Sequence, residues 1–85
     1  MNYAVFLSPR AERDLDGIRG RTYLRLQAAI DRLSDNPRPR GCLKMANSDE
    51  WRIRVGHYRI RYLIDDSARQ VTVTRVGHRR DVYGS

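Results

Sequence analysis

Two clusters of side chains have the types and spacing to do chemistry on a phosphate. The first lies in WRIRVGHYRIRYLI, residues 51–64, where apolar residues alternate with Arg52, Arg54, Arg59 and Arg61 and no acid intervenes. The second is His78, Arg79, Arg80 and Tyr83 in the tail HRRDVY. Cleavage of RNA by its own 2′-hydroxyl needs a base for that hydroxyl, cations around the phosphorane and an acid for the leaving 5′-oxygen. An imidazole, several guanidiniums and a phenol can fill these roles without a metal.

Other chemistries find little support. There is no glycine-rich phosphate loop and no serine in a nucleophile elbow. His57 and His78 have no Cys or carboxylate at ligand spacing, so neither a metal site nor a cofactor is expected. The acid pairs Asp49-Glu50 and Asp65-Asp66 fall where turns are expected and read as solvated turns. Cys42 is the lone cysteine, which excludes an internal disulfide and fits a reducing compartment.

The balance of 17 Lys+Arg against 10 Asp+Glu gives a net charge of +7, and Lys44 is the sole lysine. Arginine offers planar paired donors for phosphate and stacks on bases, so an arginine-weighted excess points to nucleic acid or another acidic partner. Lys44, Arg61 and Arg80 join Arg52 and Arg54 as candidate RNA contacts. The N-terminus has neither a charged lead-in nor a long apolar run, and no segment is long enough to span a membrane, so a cytoplasmic protein without a membrane partner is expected.

The elements that must position these groups follow from pattern. Gly56-His57 splits the alternating stretch into a β-hairpin with glycine at the first central position of a type II′ turn. Val55 then faces Tyr58, Ile53 faces Ile60 and Trp51 faces Tyr62 on one face, with Arg54 opposite Arg59 and Arg52 opposite Arg61 on the other. Like charges set across a ladder repel, so an exposed arginine face needs a polyanion to explain it. Upstream, Asn2–Leu7 reads as a short strand covered on both faces. Ser8-Pro9 reads as an N-cap and first helical residue. A second helix runs from about Thr22 to Asp35, with Tyr23, Leu26, Ile30 and Leu33 as its buried stripe and Asn36-Pro37 as its stop. The loop NPRPRG reads as a rigid turn, with an arm touching phosphates as the alternative. Cys42–Met45 is a short strand and Gln70–Val76 a β-branched one. At 85 residues there is room for one domain. The expected fold is α+β, with an N-terminal strand, an antiparallel two-helix hairpin and an antiparallel meander of three to four strands, the helices packed on one sheet face.

WRIRVGHYRIRYLIDD followed by VTVTRVGHRRDVY, with SPRAERDL at the first helix and a second helix ending near NPRP, resembles the RelE/ParE superfamily of toxins, and within it the RelE branch. The resemblance covers essentially the whole chain and implies the RelE-like microbial RNase fold. It also implies a ribosome-dependent messenger-RNA endonuclease, an mRNA interferase inhibiting translation. Its implied partners are a RelB-like antitoxin, mRNA on the ribosome with its ribosomal RNA, and operator DNA only through the antitoxin complex. By the same resemblance Arg59 and Arg79 stabilise the scissile phosphate, Tyr83 orients substrate, and Arg52 and Arg54 stand where lysines are common. A guanidinium hardly deprotonates, which moves the general-base role to His78 or Tyr83. A ParE-like gyrase poison and a non-catalytic nucleic-acid-binding module are the alternatives.

Overall fold

A computed structural model describes residues 2–78, so the expectations placed on Arg79, Arg80 and Tyr83 lie outside the described residues. Element order is β1 (Ala4–Leu7), α1 (Pro9–Asp16), α2 (Gly20–Arg32), β2 (Leu43–Lys44), β3 (Trp51–Val55), β4 (Tyr58–Asp65) and β5 (Gln70–His78). The strands form one sheet in the order β1-β5-β4-β3-β2. Strands β2 to β5 are the antiparallel meander expected. β1 runs parallel to β5, from Ala4 beside Gln70 to Leu7 beside Val73, so the sheet is mixed.

Local chemistry starts α1. Ser8 is extended, its Oγ accepts from the Ala11 N–H at 3.1 Å, and Pro9 opens the helix. The apolar stripes of both helices meet the apolar sheet face. Ala11, Leu15, Leu26, Ala29, Ile30 and Leu33 bury against Ile53, Ile60, Tyr62, Val71, Val73 and Val76.

Three details differ from the sequence expectations. β1 is an edge strand covered on one face only, which leaves Phe6 49% exposed. α2 starts at Gly20, and Tyr23 is exposed while Ala29 takes a buried place; the stripe that meets the sheet is centred one turn further along the helix than Tyr23. The third is a bulge in β5. Tyr62 faces Val73, whereas Arg61 faces Arg75, so Thr74 is an extra residue. Because side chains alternate with period two, one inserted residue moves every later side chain to the other face. Val71 and Val73 point at the helices before the bulge, Val76 after it. Asp14 of α1 fastens this point by accepting from the Val76 N–H at 2.9 Å and from Arg75 Nε at 3.1 Å.

Candidate nucleic-acid interface

The hairpin has the expected register, pair by pair from Trp51–Tyr62 to Val55–Tyr58. Gly56 sits at φ 61 and His57 does not share its positive φ, as a type II′ turn requires. Arg52, Arg54, Arg59 and Arg61 therefore share the helix-free face. That face is not open along its length, contrary to expectation. Arg54 is exposed, whereas Arg52 is 8% and Arg59 4% exposed. Long arginine stems lie along neighbouring surface, so a row of them partly buries itself.

A carboxylate also reaches this face. Glu50 pairs with Arg61 through Nε at 2.9 Å and through the terminal nitrogen, and it accepts the Thr74 hydroxyl. Read from the sequence as a solvated turn residue, Glu50 is instead largely buried and offsets the charge where Arg52 and Arg61 face each other. The signal was its parity, since Glu50 alternates in step with Arg52 and Arg54. Thr74 reaches Glu50 as the bulge residue, which the sequence does not announce.

β5 lies beside β4 and brings its end to the rim of the arginine face. Gly77 stands opposite Arg59 and has no side chain to set beside it. His78 stands opposite Tyr58, and the bulge thereby places it with Val76 and Ile60 on the helix side of the sheet. Its ring packs edge-on to Tyr58, with centroids 5.8 Å apart, and stacks on His57 at 6.1 Å. Lys44 faces Trp51 and so is also turned away from Arg52 and Arg54.

The Asn36–Gly41 loop divides its arginines. Arg38 forms a two-pronged pair with Asp66 at 3.2 and 2.9 Å, and its guanidinium carbon lies 5.1 Å from the centroid of the Trp51 ring. Hydrogen bonds from Arg38 and from the Tyr3 hydroxyl hold the Asp66 carboxyl down to about 2. Tyr62 donates to the Pro37 carbonyl at 2.8 Å, and burial, with the Cys42 thiol beside it, pushes its phenol well above the usual tyrosine range. This half of the loop is a clamp. Arg40 instead lines a groove of about 1000 Å³ between α2 and the edge of β3, together with Arg25, Arg32, Arg52 and Arg54. Asp35 is the single carboxylate among its lining residues, and Ala28, Ala29, Ile53 and Val55 supply apolar surface. β2 pairs only with Trp51 and Arg52, so the outer edge of Ile53–Val55 carries no strand among the described residues. Arg25, Ala28 and Arg32 follow one another at helical spacing, a legible stripe whose partner surface was not.

A sequence model of the ParE toxin of the type II toxin–antitoxin system matches residues 5–83. A chain in the toxin–antitoxin complex RelBE2 of Mycobacterium tuberculosis is 30% identical, with a TM-score of 0.69, over 92% of this chain and 99% of its own. A chain of the archaeal RelE–RelB complex from Pyrococcus horikoshii superposes with a TM-score of 0.82 at 24% identity, covering 93% of this chain and 97% of that one. The isolated RelE toxin of E. coli superposes with a TM-score of 0.78 at 23% identity, covering 96% and 92%. The last two likenesses are of fold alone. No curated protein sequence matches the chain.

Proposed function

Given that this chain belongs to the ParE toxin family of type II toxin–antitoxin systems, within the RelE/ParE superfamily, we propose that it is an RNA-cleaving toxin that cuts messenger RNA on the ribosome and is restrained by a RelB-like antitoxin. The observation that carries this reading is the concentration of Arg52, Arg54, Arg59 and Arg61 on the helix-free sheet face, with Gly77 opposite Arg59 and His78 at the rim. Preorganised guanidiniums stabilise charge that grows on a phosphorane, and they do so most strongly where water is excluded. Arg59 is the buried member of its cross-strand pair and Arg54 the open one, an arrangement suited to gripping a phosphate from below and from the side. In this reading the 2′-oxygen attacks phosphorus after losing its proton to His78 or Tyr83, the P–O5′ bond breaks, and the 5′-oxygen takes up a proton. His78 lies on the Tyr58 side, so its proton path to a phosphate on Arg59 runs round the sheet edge past Gly77.

The antitoxin reading draws support from the groove beside α2. Its arginines, small apolar floor and a strand edge that carries no strand among the described residues suit an acidic segment that orders on binding. RelE–RelB and RelBE2 complexes among the structural relatives make a RelB-like partner the natural candidate.

A translating extract with labelled message tests the proposal. Truncated message that requires ribosomes supports it, and intact message in an extract whose translation is arrested overturns it. The match to the ParE toxin model favours one second reading, a toxin directed at DNA gyrase. Gyrase-dependent DNA cleavage by the purified protein, with no cut message, selects that reading.

A further inference from the structure

Beyond the arginines, the helix-free face carries an apolar row. Phe6 of β1 and Leu63 of β4 both register with Thr72 of β5, so the three side chains stand side by side across neighbouring strands. Phe6 is 49% and Leu63 38% exposed. Leu63 follows Arg61 by one step of alternation on the same face, and Arg59 lies about 13 Å further along β4 at about 3.3 Å per residue. The acids around the row are occupied, Glu50 with Arg61 and Asp65 with its own turn through Ser67 and Ala68.

We propose that Phe6, flanked by Thr72 and Leu63, is a stacking platform for one nucleobase of a single-stranded RNA whose phosphates lie along the arginine row. A helix-free sheet face that sets an exposed aromatic ring beside a row of guanidiniums has the chemistry single-stranded nucleic acid recognition uses, since every base has a face to stack and every linkage a charge to neutralise. The size of the patch argues for a base. It is one ring and one leucine wide and passes into arginines, whereas a stable protein interface needs well over 1,000 Å² of buried surface around an apolar centre. The net charge of +7 favours the same occupant. The inference rests on the RNA reading above, and its test is separable from it.

The probe is a fluorescein-labelled 2′-O-methyl RNA decamer, which binds but cannot be cut through its 2′-oxygen, read by fluorescence anisotropy against the full chain. Phe6→Ala weakens binding about fivefold or more, with no change in salt slope because no phosphate contact is lost. Phe6→Trp binds at least as well as the unsubstituted chain, and Phe6→Leu, which keeps apolar contact without the ring, stays weak. An abasic decamer binds the Phe6→Ala variant and the unsubstituted chain alike. Equal decamer affinity for Phe6→Ala and Phe6→Leu variants that retain the native circular dichroism spectrum overturns the proposal, as does a loss that persists with the abasic chain. Unchanged RNA binding with weakened antitoxin binding or self-association assigns the patch to a protein and likewise overturns it. A chain that stacks the decamer yet leaves message intact keeps this inference and loses the cleavage reading; a chain that cuts message with Phe6 dispensable does the reverse.

Discussion

Replacing Glu50 by Gln should move stability and RNA affinity in opposite directions. The carboxylate pairs with Arg61 and accepts the Thr74 hydroxyl, and the paired side chains are 16% and 21% exposed. A pair about one-fifth exposed lies between a surface pair, at about 0–1 kcal/mol, and the breaking of a buried one, at about 3–5 kcal/mol. Gln preserves the shape and one acceptor for Thr74 but removes the Glu50 charge from beside the facing Arg52 and Arg61, so the expected loss is about 1.5 kcal/mol. For a domain of this size that lowers the thermal midpoint by about 6–12 °C. On the binding side, one negative charge is lost beside the arginine row, and the slope of log affinity against log salt steepens by up to about 0.7, the value of one added contact to a single strand. Differential scanning calorimetry and a salt titration with the RNA decamer read the two effects. A thermal midpoint within about 2 °C of the unsubstituted chain refutes the counter-ion role, and weaker RNA binding by a folded variant refutes the placement of Glu50 beside a phosphate path.

Gly56→Ala forces a side chain into a left-handed turn position at φ 61 and costs about 1–2 kcal/mol; urea unfolding with an unchanged m-value checks it. Tyr62→Phe removes the bond to the Pro37 carbonyl and costs about 1 kcal/mol at neutral pH. Because burial raises the Tyr62 phenol, its contribution is complete below the unfolded value of about 10 and is lost as pH rises beyond it, so the Phe variant loses less stability between neutral pH and pH 11 than the unsubstituted chain. Asp66→Asn lowers the thermal midpoint at neutral pH. The Asp66 carboxyl is depressed to about 2, so its contribution is present above the usual carboxylate range and disappears as pH falls through about 2, where the two midpoints converge.

The hairpin was legible because its register follows from alternation and from one glycine at a turn, both local signals. The Ser8-Pro9 helix start was legible for the same reason. What escaped the sequence reading depends on partners far along the chain. The β5 bulge has no glycine to announce it, and Asp14, more than sixty residues earlier, fastens it; unbroken alternation would place His78 with the arginines, and the structure places it with Tyr58. Exposure of Phe6 follows from β1 pairing at the sheet edge with β5, a contact between the N-terminal strand and the last strand of the meander that no local pattern encodes. Glu50 was legible by parity but hidden by a turn-like neighbourhood. The groove arginines Arg25, Arg32 and Arg40 each look like solvated charges until α2, the 35–41 loop and β3 come together.

Action of the arginine face on message within the ribosome is read by mapping message 5′ ends in a translating extract, with the unsubstituted chain and with Arg59→Ala. New 5′ ends that require ribosomes are expected with the unsubstituted chain, and Arg59→Ala is expected to lose about a hundredfold or more of that signal, since removing one preorganised donor to a developing charge costs about that much. Unaltered message ends with the unsubstituted chain, or equal cleavage by a folded Arg59→Ala variant, would contradict it.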